Sequence, residues 1–248
     1  MHTLLICFII AVIYVCIYFI VKSKCTKLEK YQFEASNGPS ILLVGTAHGN
    51  EPAGSEALTQ FVDMIKTGKI KLKKGSITVI PTMNPCGKKL GIRWQPHQVM
   101  TLRHLDLNRN FAKRRGEEGG CAVSKEVMKF ALNKDLVIDF HEGWGFNKLQ
   151  PDSMGSGIYP GSNTGSYPIA KEMQTAVNSG IQDVNKQFIL RDWPDLPGTF
   201  RWYCDRQNVP YILIETTGQD DIQPIDVRVK QDLVLLIAAL SKLDMIEV

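Results

Sequence analysis

Four short runs along the chain are apolar at nearly every position: ILLVGT (41–46), SITVIPT (76–82), DLVIDF (135–140) and YILIET (211–216). Turn-forming or polar residues bound each run, and none of them alternates. Continuous apolar runs of this length predict strands covered on both faces, as in a sheet lying between two layers of helices. Between them the apolar spacing changes to three and four. SEALTQFVDMIKTG ends at Gly68, VSKEVMKFALNK and YPIAKEMQTAVNSG follow the same spacing, and VRVKQDLVLLIAALSKL closes the sequence. These predict helices with one buried face. Strand and helix in alternation predict an α/β domain with a mostly parallel, mixed central sheet flanked by helices. No internal repeat or low-complexity segment interrupts that plan.

One run does not belong to the plan. Residues 4–21, LLICFIIAVIYVCIYFIV, carry no charge and have the length that crosses a bilayer core as a helix. A cleaved signal peptide needs a basic stretch before the apolar run and a small-residue cleavage site after it. Here Met-His-Thr precedes the run and lysines follow, so residues 1–22 are expected to form an uncleaved transmembrane anchor. Residues 23–38 are then a polar linker, and one domain occupies 39–248. Lys22, Lys24, Lys27 and Lys30 flank the run, and positive flanks stay cytoplasmic. This predicts a single-pass membrane protein with its body on the cytoplasmic side.

The formal net charge of +4 rests largely on those lysines. Lys113, Arg114 and Arg115 are followed at once by Glu117 and Glu118, so no basic surface for nucleic acid is expected. Cys86, Cys121 and Cys204 are irregularly spaced and make neither a disulfide framework nor a paired-cysteine zinc site. They read as reduced thiols. Cys25, at the membrane boundary, reads as unmodified or as a palmitoylation site.

The candidate chemistry lies at the ends of the strands. His48 and Glu51 stand three apart in VGTAHGNEPAG, close enough on a tight turn to begin a zinc site, or simply to form a solvated loop pair. Ligands of open α/β sheets bind outside the carboxyl ends of the strands. His48 follows the first strand, Asn84 the second, His141 ends the third and Glu215 the fourth, so all four are expected at one edge.

With those residues in view the chain resembles the zinc carboxypeptidase superfamily, and within it the succinylglutamate desuccinylase and aspartoacylase branch. The matching pieces are HGNE (48–51), NPCG (84–87), DLNRNF (106–111), DFHEG (139–143) and IET (214–216), in the family's order. The resemblance implies one zinc ion per chain, held by His48, Glu51 and His141, with a fourth position open as hydrolytic sites require. It implies Glu215 as the general base; otherwise Glu215 is a strand-end carboxylate before a turn. Asn108 and Arg109 would clamp a substrate carboxylate, which suits a guanidinium. Asp106 would accept from the ring of His48 or close a turn. Arg93 is favoured over Arg103 as the oxyanion-stabilising arginine.

The sequence departs from that branch after Glu215, where only a helical stretch follows. The β-rich C-terminal domain of aspartoacylase-type enzymes is therefore expected to be absent and the mouth open. Segments 143–165 and 191–206 lack clear periodicity and are expected to loop over the active edge. The leading expectation is a membrane-anchored zinc amide hydrolase. Its substrate is an N-acyl amino acid, or a peptide cut at its C-terminus, with a free carboxylate. A catalytically inactive binding module is the alternative. A serine hydrolase is excluded by the lack of a GxSxG turn.

Overall fold

The structure is a computed structural model that describes residues 24–96, 105–114, 116–192, 194 and 196–248, with Cys7, Ile9, Ile10, Val12, Ile13 and Cys16 before them. In chain order the elements begin with β1 (Tyr31–Glu34), β2 (Ser36–Gly45), α1 (Ala53–Lys66), β3 (Lys71–Leu72), β4 (Lys74–Ile80) and α2 (Pro85–Leu90). Next come α3 (Ala122–Ala131), β5 (Leu136–Gly143), β6 (Gly157–Pro160), α4 (Tyr167–Ser179), β7 (Ile189–Leu190) and α5 (Phe200–Arg206). The last are β8 (Tyr211–Thr217), α6 (Ile225–Lys242) and β9 (Ile246–Glu247). Seven strands form one sheet in the order β1-β4-β2-β5-β8-β6-β7, while β3 and β9 pair separately. The central pairs β4/β2, β2/β5 and β5/β8 are parallel; β1 joins β4 and β6 joins β8 antiparallel.

Because successive strand residues face opposite sides, the continuous apolar runs feed two cores. Ile41, Leu43, Ile77, Val79, Ile138, Phe140, Ile212 and Ile214 pack with Leu58 and Phe61 of α1, Met173 of α4, and Leu235 and Leu236 of α6. Leu42, Val44, Ile80, Val137, Tyr211 and Leu213 pack on the other face with Val123 and Val127 of α3 and Phe200 and Tyr203 of α5. The four strands and four long helices expected from periodicity are all present within a few residues of their expected bounds.

The structure departs from expectation in three places. Residues 31–38, read as linker, contribute β1 and the start of β2, so the sheet begins inside that stretch. Segment 143–165, read as loop, contains β6, which is held by pairing to β8 and β7, and segment 191–206, read the same way, ends in α5, capped by Thr199. The cysteine reading is corrected outright: Cys25 and Cys86 form a disulfide, and both lie in the folded body. Such bonds persist in oxidising compartments and are rare in the cytosol, which runs against the cytoplasmic placement taken from the lysine flank. Among the described residues no helix is long and apolar enough to cross a membrane. Most of the apolar run 4–21, the expected anchor, lies outside the described residues.

Candidate metal centre and its cavity

The turn leaving β2 delivers the first two candidate ligands. Thr46 adopts a left-handed φ of 52°, and its Oγ1 donates to the Glu51 carbonyl at 2.9 Å. The Glu51 amide donates to the His48 carbonyl at 3.1 Å. A non-glycine residue in that region stores strain, the kind of outlier found where a chain is held for function. Gly49 makes the turn possible: a Cβ there would stand 1.9 Å from the Gly87 carbonyl carbon. The backbone of NPCG thus presses directly on HGNE. Asn84 fixes that shelf by accepting from the Gly87 amide at 3.0 Å and donating to the Trp94 carbonyl at 3.1 Å.

His141 arrives from β5, in register with Glu215 of β8. His48 Nδ1 lies 2.8 Å from Glu51 Oε1, His141 Nδ1 2.8 Å from Glu51 Oε2, and the two Nδ1 atoms 3.1 Å apart. One ligand atom from each of these three buried residues falls within 4.8 Å of the others. Both imidazoles therefore aim the same nitrogen at one carboxylate. Three such donors converging in a dry pocket is the arrangement a divalent cation satisfies, and imidazole with carboxylate suits zinc.

The outer ring nitrogens are also engaged. His48 Nε2 lies 3.0 Å from Asp106 Oδ1, and His141 Nε2 stands 3.4 Å from Asp139 Oδ2 in ionic contact without hydrogen-bond geometry. Tyr211 donates its hydroxyl to Asp139 Oδ2 at 2.7 Å. Carboxylates behind ligating imidazoles fix the tautomer and raise basicity. Burial alone would raise the Glu51 carboxyl, but His48 and His141 outweigh it and hold it far below its ordinary value. At Asp106, burial is likewise overridden by His48 and Arg93, and the carboxyl is held well below its usual range. Burial opposes the proton on His141, yet Asp139 and Glu51 raise its pKa well above the ordinary value.

Glu215 is buried beside these groups, and desolvation, opposed by the pull of His141, pushes its pKa up to about 8. It lines a cavity of about 120 Å³ together with His48, His141, Arg93, Asn108 and Arg109. The sequence-derived residues thus share one site, with Met154, Pro194 and Leu196 around them. Arg93 reaches Asp106 Oδ2 through Nε and Nη2 (3.1 and 3.0 Å) and Glu51 Oε1 through Nη1 at 3.4 Å. Arg103 and Trp193 lie outside the described residues.

Residues not singled out from the sequence support the site from behind. Glu142, on the opposite face of β5 from His141, accepts from the Ala53 amide at the start of α1 at 2.7 Å, where a carboxylate offsets the helix dipole. It pairs with Arg228 of α6, which also donates to the Gly218 carbonyl at 3.1 Å. Gln219 donates to Glu51 Oε1 at 2.9 Å. Asp139 stands two positions before His141 and therefore on the same face of the strand, a signal that could have found it. Arg228 and Gln219 carry no local signal that separates them from ordinary helix and turn residues.

With this geometry in place, comparison with known proteins shows what the chain is similar to. The signature of the succinylglutamate desuccinylase/aspartoacylase catalytic domain matches residues 37–146. Carboxypeptidase E of Caenorhabditis elegans is 36% identical over 87 residues, which cover 29% of this chain and 18% of that protein. The cell shape determinant Csd4 of Helicobacter pylori (Gln46His variant) superposes with a TM-score of 0.72 at 19% identity, over 89% of this chain and 56% of that one. An aspartoacylase family protein of Mesorhizobium loti superposes with a TM-score of 0.62 at 19% identity, over 89% and 62%. The chain thus spans less than two thirds of the length of each of these relatives. The fold is shared with Csd4 over most of the chain, and the buried His48, Glu51 and His141 give it a candidate metal site. Over residues 37–146 the chain is similar to the succinylglutamate desuccinylase/aspartoacylase catalytic domain, the branch that its motifs resemble.

Proposed function

We propose that the protein is a zinc-dependent amide hydrolase acting on an N-acyl amino acid whose free carboxylate is held at Asn108 and Arg109. The observation that carries this reading is the convergence of His48, Glu51 and His141 within 4.8 Å, in a cavity that also holds a buried carboxyl at Glu215. A zinc ion held there supplies Lewis acidity and makes water a competent nucleophile near neutral pH. Glu215 takes the proton from the attacking water on its carboxylate and delivers it to the nitrogen of the leaving amine. Arg93 faces the carbonyl oxygen as charge develops on it. Asp106 and Asp139 hold the two imidazoles in orientation.

A carboxypeptidase acting on peptide C-termini is the second reading. It is supported by the identity to carboxypeptidase E and by the shared fold with Csd4, described in its mDAP-bound form as a D,L-carboxypeptidase. The apolar run 4–21 supports a membrane anchor for this hydrolase. The Cys25–Cys86 bond supports a body that faces an oxidising compartment and not the cytoplasm.

The test is to titrate the metal-free full-length chain with zinc and then assay it against matched N-acyl amino acids and short peptides. One zinc per chain and release of a free amine are expected. Glu215→Gln should keep the zinc and lower kcat by about 10²-fold or more, whereas His141→Ala should lose the zinc. Turnover that survives in Glu215→Gln would falsify the assignment of the base.

A further inference from the structure

α1 begins without a cap of its own. Pro52 stands at its N-cap position and offers no side-chain acceptor, although the opening amides of a helix need one. The acceptor comes from β5. Glu142 takes the Ala53 amide on Oε1 at 2.7 Å, and its Oε2 accepts from Arg228 Nη1, so both oxygens of a carboxylate that is 1% exposed are in use. Arg228, on α6 and equally deep in the fold, extends the link to a third strand end by donating to the Gly218 carbonyl at 3.1 Å. Gly218 leaves room for that crossing. A Cβ there would stand 1.8 Å from Glu142 Oε2 and 2.4 Å from Arg228 Cδ.

Each segment that this pair joins also bears on Glu51. Ala53 lies two positions after it, the Glu142 amide donates to Glu51 Oε2 at 3.3 Å, and Gln219, next to Gly218, donates to Glu51 Oε1 at 2.9 Å. The same Gln219 Nε2 donates to the Glu142 carbonyl, and its place between two acceptors fixes which end of the amide faces Glu51. Arg228 itself acts at one remove. Its partners are Glu142, the Gly218 carbonyl and the exposed Asp221 at 3.2 Å, so its influence on Glu51 passes through them. Replacing both members of a buried ion pair by uncharged residues of similar size is often neutral for stability. What this pair aligns is the better account of its presence.

We infer that Arg228 is a positioning residue for Glu51, acting through Glu142 and Gln219 to hold that carboxylate where His48 and His141 meet it. The inference rests on the metal reading of those three residues for its effect on zinc. Partners behind a metal ligand contribute about 10- to 100-fold in affinity. Here one guanidinium on a distant helix holds in place both groups that donate to the Glu51 oxygens from behind.

The variant that isolates this role is Glu142→Gln combined with Arg228→Met. Gln keeps an acceptor for the Ala53 amide, and both charges leave together, so Asp232, which both of them influence, meets no unbalanced charge. Zinc affinity is measured on the full-length chain by competition with a chelator. Amide hydrogen exchange is followed in the metal-free chain, and thermal melting checks folding. The double variant should bind zinc at least about tenfold more weakly than the parent, and should exchange faster over residues 47–53 and 218–221 while the sheet stays protected. Arg228→Lys, which lacks the planar fork that spans Glu142 and the Gly218 carbonyl, should move the same way by less. Gln219→Ala, on a half-buried turn, should reproduce the loss of zinc affinity. Parental zinc affinity in the folded double variant, or faster exchange spread evenly over the sheet, overturns the inference; if that variant does not fold, parental affinity in Gln219→Ala does so. The two readings fail separately. A parent chain that binds no zinc or hydrolyses no amide removes the hydrolase, and the exchange pattern of the metal-free chain then decides Arg228 alone.

Discussion

Asp232 lies on α6 with no exposed surface, and neither of its carboxylate oxygens has a hydrogen-bond partner. Burial, reinforced by repulsion from Glu142 and only partly relieved by Arg228, raises its pKa well above the ordinary 3.8. The folded chain therefore binds this proton more tightly than the unfolded chain does. The resulting stability is complete below the unfolded pKa and is lost as the pH rises through the folded value. Asp232→Asn keeps the shape without the charge. The variant should melt at a higher temperature than the parent, by at least about 1 kcal/mol of stability near pH 8. The gap should shrink as the pH falls toward about 5. Melting curves by circular dichroism at several pH values check this, and a gap that stays constant with pH would show that the carboxyl is not the cause.

At the scale of elements, the loop between β2 and α1 is pinned by backbone against backbone. Gly49→Ala would drive a Cβ to 1.9 Å from the Gly87 carbonyl carbon and 2.4 Å from the Ile92 carbonyl oxygen. Neither partner is a flexible side chain. Overpacking of this kind costs about 1–3 kcal/mol, and here the movement falls on His48 and Glu51. Gly49→Ala should therefore lower both the melting temperature and the affinity for zinc, measured by titration against a chelator, whereas Gly180→Ala, whose Cβ would meet nothing closer than the Val177 carbonyl oxygen at 3.7 Å, should leave the zinc affinity unchanged. The central elements were legible because ILLVGT and its counterparts carry their own periodicity and length. β6 was not, because Gly157–Pro160 is four residues long, ends in proline and owes its extended form to pairing with β8. The candidate ligands and Glu215 were legible through their place at strand ends. Arg201, which also lines the cavity, was not, because α5 is short and rich in aromatic residues that read as packing.

For the molecule as a whole, the Cys25–Cys86 bond closes a loop with a sequence separation of 61. In the chain-entropy account such a loop contributes about 4 kcal/mol. Full-length protein taken from cells, alkylated before lysis and digested without reductant, should yield the crosslinked Cys25–Cys86 peptide. Recovery of both cysteines as separate alkylated thiols would return the body to a reducing compartment and restore the placement read from the lysine flank.

The same bond sets a distance. Cys25 follows residue 21, the end of the apolar run, by four positions, and an extended chain advances roughly 3.5 Å per residue. With that run embedded in a bilayer, Cys25 would lie within roughly 14 Å of the lipid surface and the NPCG shelf one disulfide beyond it, 5.1 Å between the Cα atoms, although the sheet itself begins farther along the chain. A body so moored would have little freedom to swing away from the membrane, and would sample the thin layer of solution next to it.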